Sequence, residues 1–377
     1  MKTIKVKRVE TKREISDFVC LPDRIYDHCP QYVPDMVQDV RNMFRPEKNA
    51  GLDFSVVQPF VAYCDDEPVG RIVGIINHRA NERWKVNNVR FGMIEFIDDL
   101  EVSRSLLKAV ADWGRSHGMR RMVGPMGITD FDKEGMLVED FQLMGSVTAI
   151  YNPSYYPKHL EQLGFEKEVD WLQIRIDVPQ EVPAKYARVA QYAREMLGLK
   201  VRKLTDDEIA RQGYGRQIFH LLNQAYAPLF GYSELSDKQI DEYVEQYLYV
   251  VDKKLLPTVF NDKGEMVGVA ITMASLSQAL HRCRGRIWPF GWYHLLKAMK
   301  WKHADNAEML LVAVRPDYQG LGVNALFFDD LIPIYNKYGF RWAETGPQLE
   351  SNVKELNQWK PLNPQLVKRR RCYKKDI

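Results

Sequence analysis

Cysteine is scarce in this chain and unpatterned. The five cysteines in 377 residues, Cys20, Cys29, Cys64, Cys283 and Cys372, are odd in number and widely scattered. With no C-x-x-C pair among them, neither a disulfide framework nor a zinc site is indicated. No apolar run approaches the ~18 residues of a membrane helix. The N-terminal Met-Lys-Thr-Ile-Lys-Val-Lys-Arg lacks the apolar stretch of a signal peptide. A charge excess is missing too: 53 Lys and Arg stand against 50 Asp and Glu, a net charge of +3, so composition does not demand a nucleic-acid partner. None of the eight histidines has a neighbour at metal-ligand spacing or a place in a catalytic triad pattern. The expectation is a cytoplasmic protein that uses no metal and engages neither membrane nor nucleic acid.

What is present is core-forming material. The chain is 45% hydrophobic with 11% aromatic residues, enough for sizeable cores. Its length suggests two domains, at ~150 residues each. The clearest seam is Val178-Pro179-Gln180-Glu181-Val182-Pro183, where an alternating, strand-like run from Trp171 meets two prolines before a helical pattern from Ala184 to Met196. The predicted domains are 1–180 and 181–377. In the first, Thr3–Val9 reads as an edge strand, Phe60–Ile76 as a hairpin around Asp65-Asp66-Glu67-Pro68, and Arg90–Ile97 as a strand. An amphipathic helix over Glu101–His117, a strand at Gly118–Gly124 and a short helix ending in Leu163-Gly164-Phe165 follow. In the second, helices over Asp206–Tyr226 and Ser236–Leu248 precede a hairpin around Asn261-Asp262-Lys263-Gly264, and Leu366–Tyr373 reads as a closing strand. The predicted class is therefore α/β, an α+β mixed sheet in each half.

The most informative segment is Ala307 to Phe328. Met309–Val314 reads as a buried strand, Pro316 ends it, and Gln319-Gly320-Leu321-Gly322 opens a segment with apolar residues at helical spacing. A strand, a glycine turn and a helix N-terminus make an anion site, because the first helical amides are unpaired and the backbone is open to close approach. This order resembles the acyl-CoA signature of the GNAT superfamily of N-acetyltransferases, Gln/Arg-x-x-Gly-x-Gly/Ala. Gln319-Gly320-Leu321-Gly322-Val323-Asn324 follows it except at the last position, where Asn324 replaces Gly or Ala. The N-terminal half carries Ile97-Asp98-Asp99-Leu100-Glu101-Val102 at the matching place, whose carboxylates suit a helix start and would repel a pyrophosphate. The resemblance thus implies a tandem GNAT repeat, with a degenerate first copy and a CoA-binding second one. The chain also resembles a bacterial group of two-domain GNAT-like proteins, through Leu21-Pro22-Asp23-Arg24-Ile25-Tyr26, Gly70-Arg71-Ile72, Asn152-Pro153, Tyr155-Tyr156-Pro157, Pro289-Phe290-Gly291-Trp292 and Glu350-Ser351-Asn352.

The resemblance further implies a site. Val312, Ala313 and Val314 would supply the backbone that polarises a thioester, with Val312 and Val314 foremost. Gln319, Gly320, Leu321, Gly322, Val323 and Asn324 would hold the CoA pyrophosphate. Glu308 sits where the histone acetyltransferase branch has its catalytic base, with Glu344 and Glu350 as further carboxylates. The usual acid, a tyrosine seven residues after Asn352, is Trp359 here, leaving Tyr335 or Tyr338 or an unassisted thiolate. Arg282, Arg284 and Arg286 beside Trp288-Pro289-Phe290-Gly291-Trp292 read mainly as a packed helix start, and Lys368-Arg369-Arg370-Arg371 as the solvated face of the last strand. The implied reaction is acyl transfer, acetyl-CoA being the usual donor, to a small-molecule or peptide amine. An aminoacyl-tRNA-dependent transferase and a non-catalytic CoA-binding module are the alternatives.

Overall fold

The computed structural model describes residues 3–248, 250–301 and 304–377. The strands are β1 (Ile4–Arg8), β2 (Ser55–Cys64), β3 (Glu67–Asn77), β4 (Asn88–Phe96), β5 (Arg121–Gly124), β6 (Met136–Leu137) and β7 (Glu166–Asp177). They continue with β8 (Lys200–Lys203), β9 (Pro257–Phe260), β10 (Met266–Ala274), β11 (Asn306–Val314), β12 (Trp342–Thr345), β13 (Gln348–Leu349) and β14 (Gln365–Asp376). The helices are α1 (Lys12–Ile25), α2 (Val37–Asn42), α3 (His78–Trp84), α4 (Leu100–Ser116), α5 (Tyr155–Gln162), α6 (Ala184–Leu197) and α7 (Asp206–Ala210). After them come α8 (Tyr214–Tyr226), α9 (Asp237–Tyr243), α10 (Ser277–Cys283), α11 (Gly291–Leu296), α12 (Val323–Tyr338) and α13 (Val353–Gln358).

Two compact units result, and neither is one continuous stretch. The first holds 1–172, 277–295 and 368–377; the second holds 173–276 and 296–367. A single cut at 180/181 misses both exchanges. Residues 277–295 were expected in the second half, and the closing strand was expected to complete it. Instead β14 pairs antiparallel with β5, Tyr373 opposite Gly124. Strand exchange of this kind leaves no local trace, because any apolar, β-forming run serves either edge.

In the first unit β1, β2, β3 and β4 run antiparallel, and β4 pairs parallel with β5. α4 begins where Asp99 accepts a hydrogen bond from the Glu101 amide, and it buries Val102, Leu106, Val110 and Trp113 at helical spacing. Glycines on β3 let that stripe approach. A Cβ at Gly70 would lie 2.7 Å from Leu106, and one at Gly74 2.8 Å from the Trp113 ring. The basic run of β14 is not a solvated face. Lys368 and Arg370 are buried, while Arg369 and Arg371 both hydrogen-bond the buried carboxylate of Asp170. An ion cluster inside the unit therefore absorbs charge that read as surface.

In the second unit β8, β9, β10 and β11 run antiparallel, β11 pairs parallel with β12, and β12 pairs antiparallel with the end of β7. α6 and α12 cover one face, where Ala190, Ala193, Leu326, Phe328, Leu331, Ala307 and Ala343 share a core. α8 packs on β10 and β11 with an apolar side, Ile218, Leu221 and Leu222, that lies outside that core. The single helix expected over Asp206–Tyr226 is two, α7 and α8. Gly213 takes φ +81° between them, and Thr205 opens α7 with a capping box.

Replacing Gly74 by Ala should destabilise the protein by about 1–3 kcal/mol, since Trp113 must shift to admit the methyl group. Urea unfolding followed at the first transition checks this, and an unchanged midpoint would mean that Trp113 moves freely.

Candidate active site

β11 and β12 run side by side for only four residues, from Asn306 opposite Trp342 to Met309 opposite Thr345. The Gly346 amide then donates to Met309 O at 2.8 Å, and the two strands part. At the same level β11 carries a bulge. Thr272 of β10 stands opposite Met309 and Ile271 opposite Leu311, leaving Leu310 as the extra residue. The bulge reverses the facing of everything beyond it. Ala307 and Met309 face α12 before it, and Val312 and Val314 face α12 after it.

Backbone direction follows from register. The Arg315 amide donates to Val267 O across the β10–β11 pair at 2.9 Å, and Val314 stands opposite Gly268. Main-chain groups alternate in direction along an antiparallel strand, so Leu311 and Ala313 point to β10 while Val312 and Val314 point away from it. Two side chains confirm that direction: the Tyr226 hydroxyl donates to Val312 O at 3.1 Å, and Gln319 Nε2 to Val314 O at 3.2 Å. The edge of β11 beyond Met309 is thus a short row of backbone groups with no β12 strand beside it.

The glycine turn lies at the end of this edge. Gln319, Gly320 and Leu321 are exposed, Gly320 has φ +81°, and Gly322, at φ +90°, is the N-cap of the 16-residue α12. Nothing lies within 4 Å of a Cβ built at Gly320, whereas one at Gly322 would meet Val189 of α6 at 2.9 Å. Gly322 is therefore a packing requirement as well as a turn residue. Val323 is buried against the core. The Asn324 side chain does not fill the turn; its Nδ2 donates to Gln358 Oε1 of α13 at 2.6 Å. The residues present fit a pyrophosphate: an open αL turn, unpaired first-turn amides and the positive end of a helix dipole.

The carboxylates divide into two sets. Glu308 and Glu344 are register partners on β11 and β12, both buried, with Arg175 of β7 next in the row. Ser275 donates its hydroxyl to Glu308 at 2.6 Å. This row occupies the face turned away from α12, within the paired part of the sheet. Tyr338 is not brought to it. That residue ends α12 on the opposite face, gives its hydroxyl to Asp252 at 2.6 Å, and is pushed up to about 12 by burial and that carboxylate. Tyr335 is buried in the α12 core, and Glu350 lies in the turn after β13. Asn352 caps α13 by accepting from the Glu355 amide, and Trp359 is buried, donating to Gln348.

Two residues that the sequence did not single out stand at the parted strands. Tyr226, the last residue of α8, holds Val312 O, and its phenol is raised by burial and then by the charge of Glu355. Glu355, on α13, is raised to about 7 by burial, against a hydrogen bond from Gln358 that lowers it. Gln348 Nε2 also donates to it at 3.3 Å. No motif marks either position, since both reach the site from helices remote in sequence from the glycine turn. Among the described residues no group of three or more His, Cys, Asp or Glu could hold a metal ion, and no helix is long and apolar enough to cross a membrane.

This is the fold of the tandem GCN5-related N-acetyltransferases. A tandem GNAT protein from the clavulanic acid biosynthesis pathway superposes with a TM-score of 0.55 at 12% identity, over 99% of this chain and 98% of that one. A GCN5-related N-acetyltransferase from Sphaerobacter thermophilus gives 0.51 at 12%, over 99% and 95%. No family model matches the chain. In sequence it is similar to protein YghO of Escherichia coli strain K12, 25% identical over 99% of this chain and 95% of the relative. It is also similar to the bacterial ceramide synthase of Caulobacter vibrioides, 26% identical over 82% of this chain and 80% of the relative.

The Glu355 carboxyl has a sign-definite consequence for stability. Its folded value of about 7 lies above the ordinary 4.5. Between those two values the folded chain keeps a proton that the unfolded chain has lost, so this group's contribution falls as pH rises through the window. Glu355→Gln should therefore lose less stability than the parent between pH 5 and pH 8, as read by denaturant midpoints.

Proposed function

We propose that the protein is an acyl-CoA-dependent N-acyltransferase whose chemistry takes place in the second unit. The observation that carries this reading is the open edge of β11 at Val312 and Val314, running directly into the glycine turn that starts α12. The turn amides hold the pyrophosphate, which lays the thioester along the edge. A Val312 or Val314 amide then donates to the thioester carbonyl as its oxygen gains charge. The amine adds to the carbonyl carbon, its proton passes to a carboxylate, and the C–S bond breaks to release CoA thiolate. The thiolate needs no strong acid, a thiol pKa of ~8.5 being low enough for it to leave.

Glu355 is the better base. Its carboxyl, raised to about 7, changes charge near neutral pH, where a base works best, and its charge reaches Tyr226, which holds Val312 O. Glu308 is the second candidate, held by Ser275 within the paired strands. Tyr226 positions the edge by fixing Val312 O. The acceptor favoured by the Caulobacter relative's name is a long-chain amino alcohol, since a ceramide is the N-acyl derivative of one. The donor would then be a long-chain acyl-CoA in place of acetyl-CoA.

Purified protein should release CoA thiol when given a long-chain acyl-CoA and a long-chain amino alcohol, and release it more slowly with acetyl-CoA. Absence of release with every pairing of amine and acyl-CoA would sink the reading. Gly320→Asp adds a carboxylate at an exposed αL position that Asp tolerates, so the fold should survive while CoA affinity drops at least ~10-fold by charge repulsion. Titration calorimetry measures that loss. For the base, Glu355→Gln should remove the rise of kcat/KM through pH 7. If Glu308→Gln removes it instead, the proton goes to Glu308.

A further inference from the structure

The segment between α10 and α11 presents aromatic side chains that no part of the acyl-transfer site uses. Trp288 is 77% exposed and Phe290 72%, and Ile287, Trp292 and Tyr293 are exposed as well. Single exposed apolar residues are ordinary, but five within seven positions concentrate exposed apolar surface in one short segment. The segment is also one-signed. No acidic residue occurs between Glu265 and Asp305, while Arg282, Arg284, Arg286, Lys297, Lys300 and Lys302 do.

Its backbone is firmly held within the first unit. The Val37 amide donates to Gly285 O at 2.9 Å, and His281 Nδ1 lies 2.9 Å from Tyr32 O. Arg286 binds Asp23 at 2.5 Å and Arg284 binds Asp27 at 3.3 Å, tying the base of the segment to α1 and the residue pair after it. Both turns are glycine-dependent: a Cβ at Gly285 would lie 2.0 Å from Asp35 O, and one at Gly291 1.7 Å from Arg286 O. The aromatic tips are thus displayed on a fixed base.

We propose that residues 282–293 are a membrane-docking wedge that seats the protein on a phospholipid surface with anionic headgroups. Trp and Tyr favour the headgroup level of a bilayer, where an apolar ring and a polar ring edge are both accommodated, and Phe and Ile reach the acyl boundary. Arg282, exposed beside the wedge, faces anionic headgroups from above it. Protein partners favour a groove or a flat patch with a polar rim; an exposed run rich in Trp and Phe, with the exposed Arg282 beside it and its other two arginines paired to Asp23 and Asp27, suits a bilayer better. The wedge stands independently of the acyl-transfer reading, although it would bring a lipid-borne amine to the protein. The expectation of no membrane partner rests on the lack of a spanning segment and a signal peptide, and a peripheral wedge departs from it because it needs neither.

Flotation of the full chain with vesicles tests this. The protein should float with vesicles containing phosphatidylglycerol, less so with phosphatidylcholine alone, and less again as salt rises. The double variant Trp288→Ala, Phe290→Ala should lose roughly tenfold or more of that partition, at two large side chains withdrawn from the interface. Its thermal midpoint and CoA affinity should match the parent, which separates loss of docking from unfolding and from failure of the CoA site. No flotation of the parent, or equal flotation of the variant, overturns the proposal. So does a parent that ignores vesicles yet self-associates in sedimentation velocity through the same two side chains, which would assign the wedge to a protein contact.

Discussion

The parting of β11 from β12 after Met309 is the constraint on which the site depends. Hydrogen-bonded strands leave no room for a ligand, and a backbone edge buried with no partner is costly. Here a bulge at Leu310 and the Gly346 bond to Met309 O end the pairing at one defined level. Beyond it, Val312 and Val314 present main-chain groups in fixed directions. Tyr226 and Gln319 satisfy the two carbonyls, which leaves the arrangement donor-rich. A donor-rich, prearranged edge suits a carbonyl oxygen that gains charge during reaction, because its orientation precedes the reaction.

Around that edge the second unit divides its faces. The α12 face is an apolar core that fixes the helix behind the glycine turn, and Gly268 gives Val323 and Phe327 the room to approach. The other face holds the ionisable row of Glu308 and Glu344. Buried carboxylates and apolar packing thereby lie on opposite sides of one sheet. Tyr338, on the packing side, has no route to the carboxylates.

The first unit shares the order of elements but has no glycine turn before its helix α4. Its helix α4 starts on Asp99, whose side chain takes up the Glu101 amide, and Asp98 lies 3.1 Å from His159. The Glu101 amide is thus answered by the unit's own Asp99 carboxylate. What this unit offers instead is a core tightened by Gly70 and Gly74, and the aromatic wedge that α1 anchors.

Local pattern alone determined a good deal. Alternation and apolar periodicity located the hairpin of β2 and β3, helix α4, helix α6 and strand β11, since each has a solvent-facing or core-facing rhythm that one stretch of chain sets by itself. The glycine turn was equally legible, because an αL backbone before a helix strongly favours glycine. Tertiary structure alone decided the rest. The pairing of β14 with β5 depends on which edge is open, and the burial of Lys368 and Arg370 depends on that pairing. Glu355 acquires its shifted acidity from burial, and Tyr226 from burial and from the charge of Glu355, more than a hundred residues away along the chain. Sequence specifies such groups only as a carboxyl and a phenol; the environment that changes them exists only once the chain has folded.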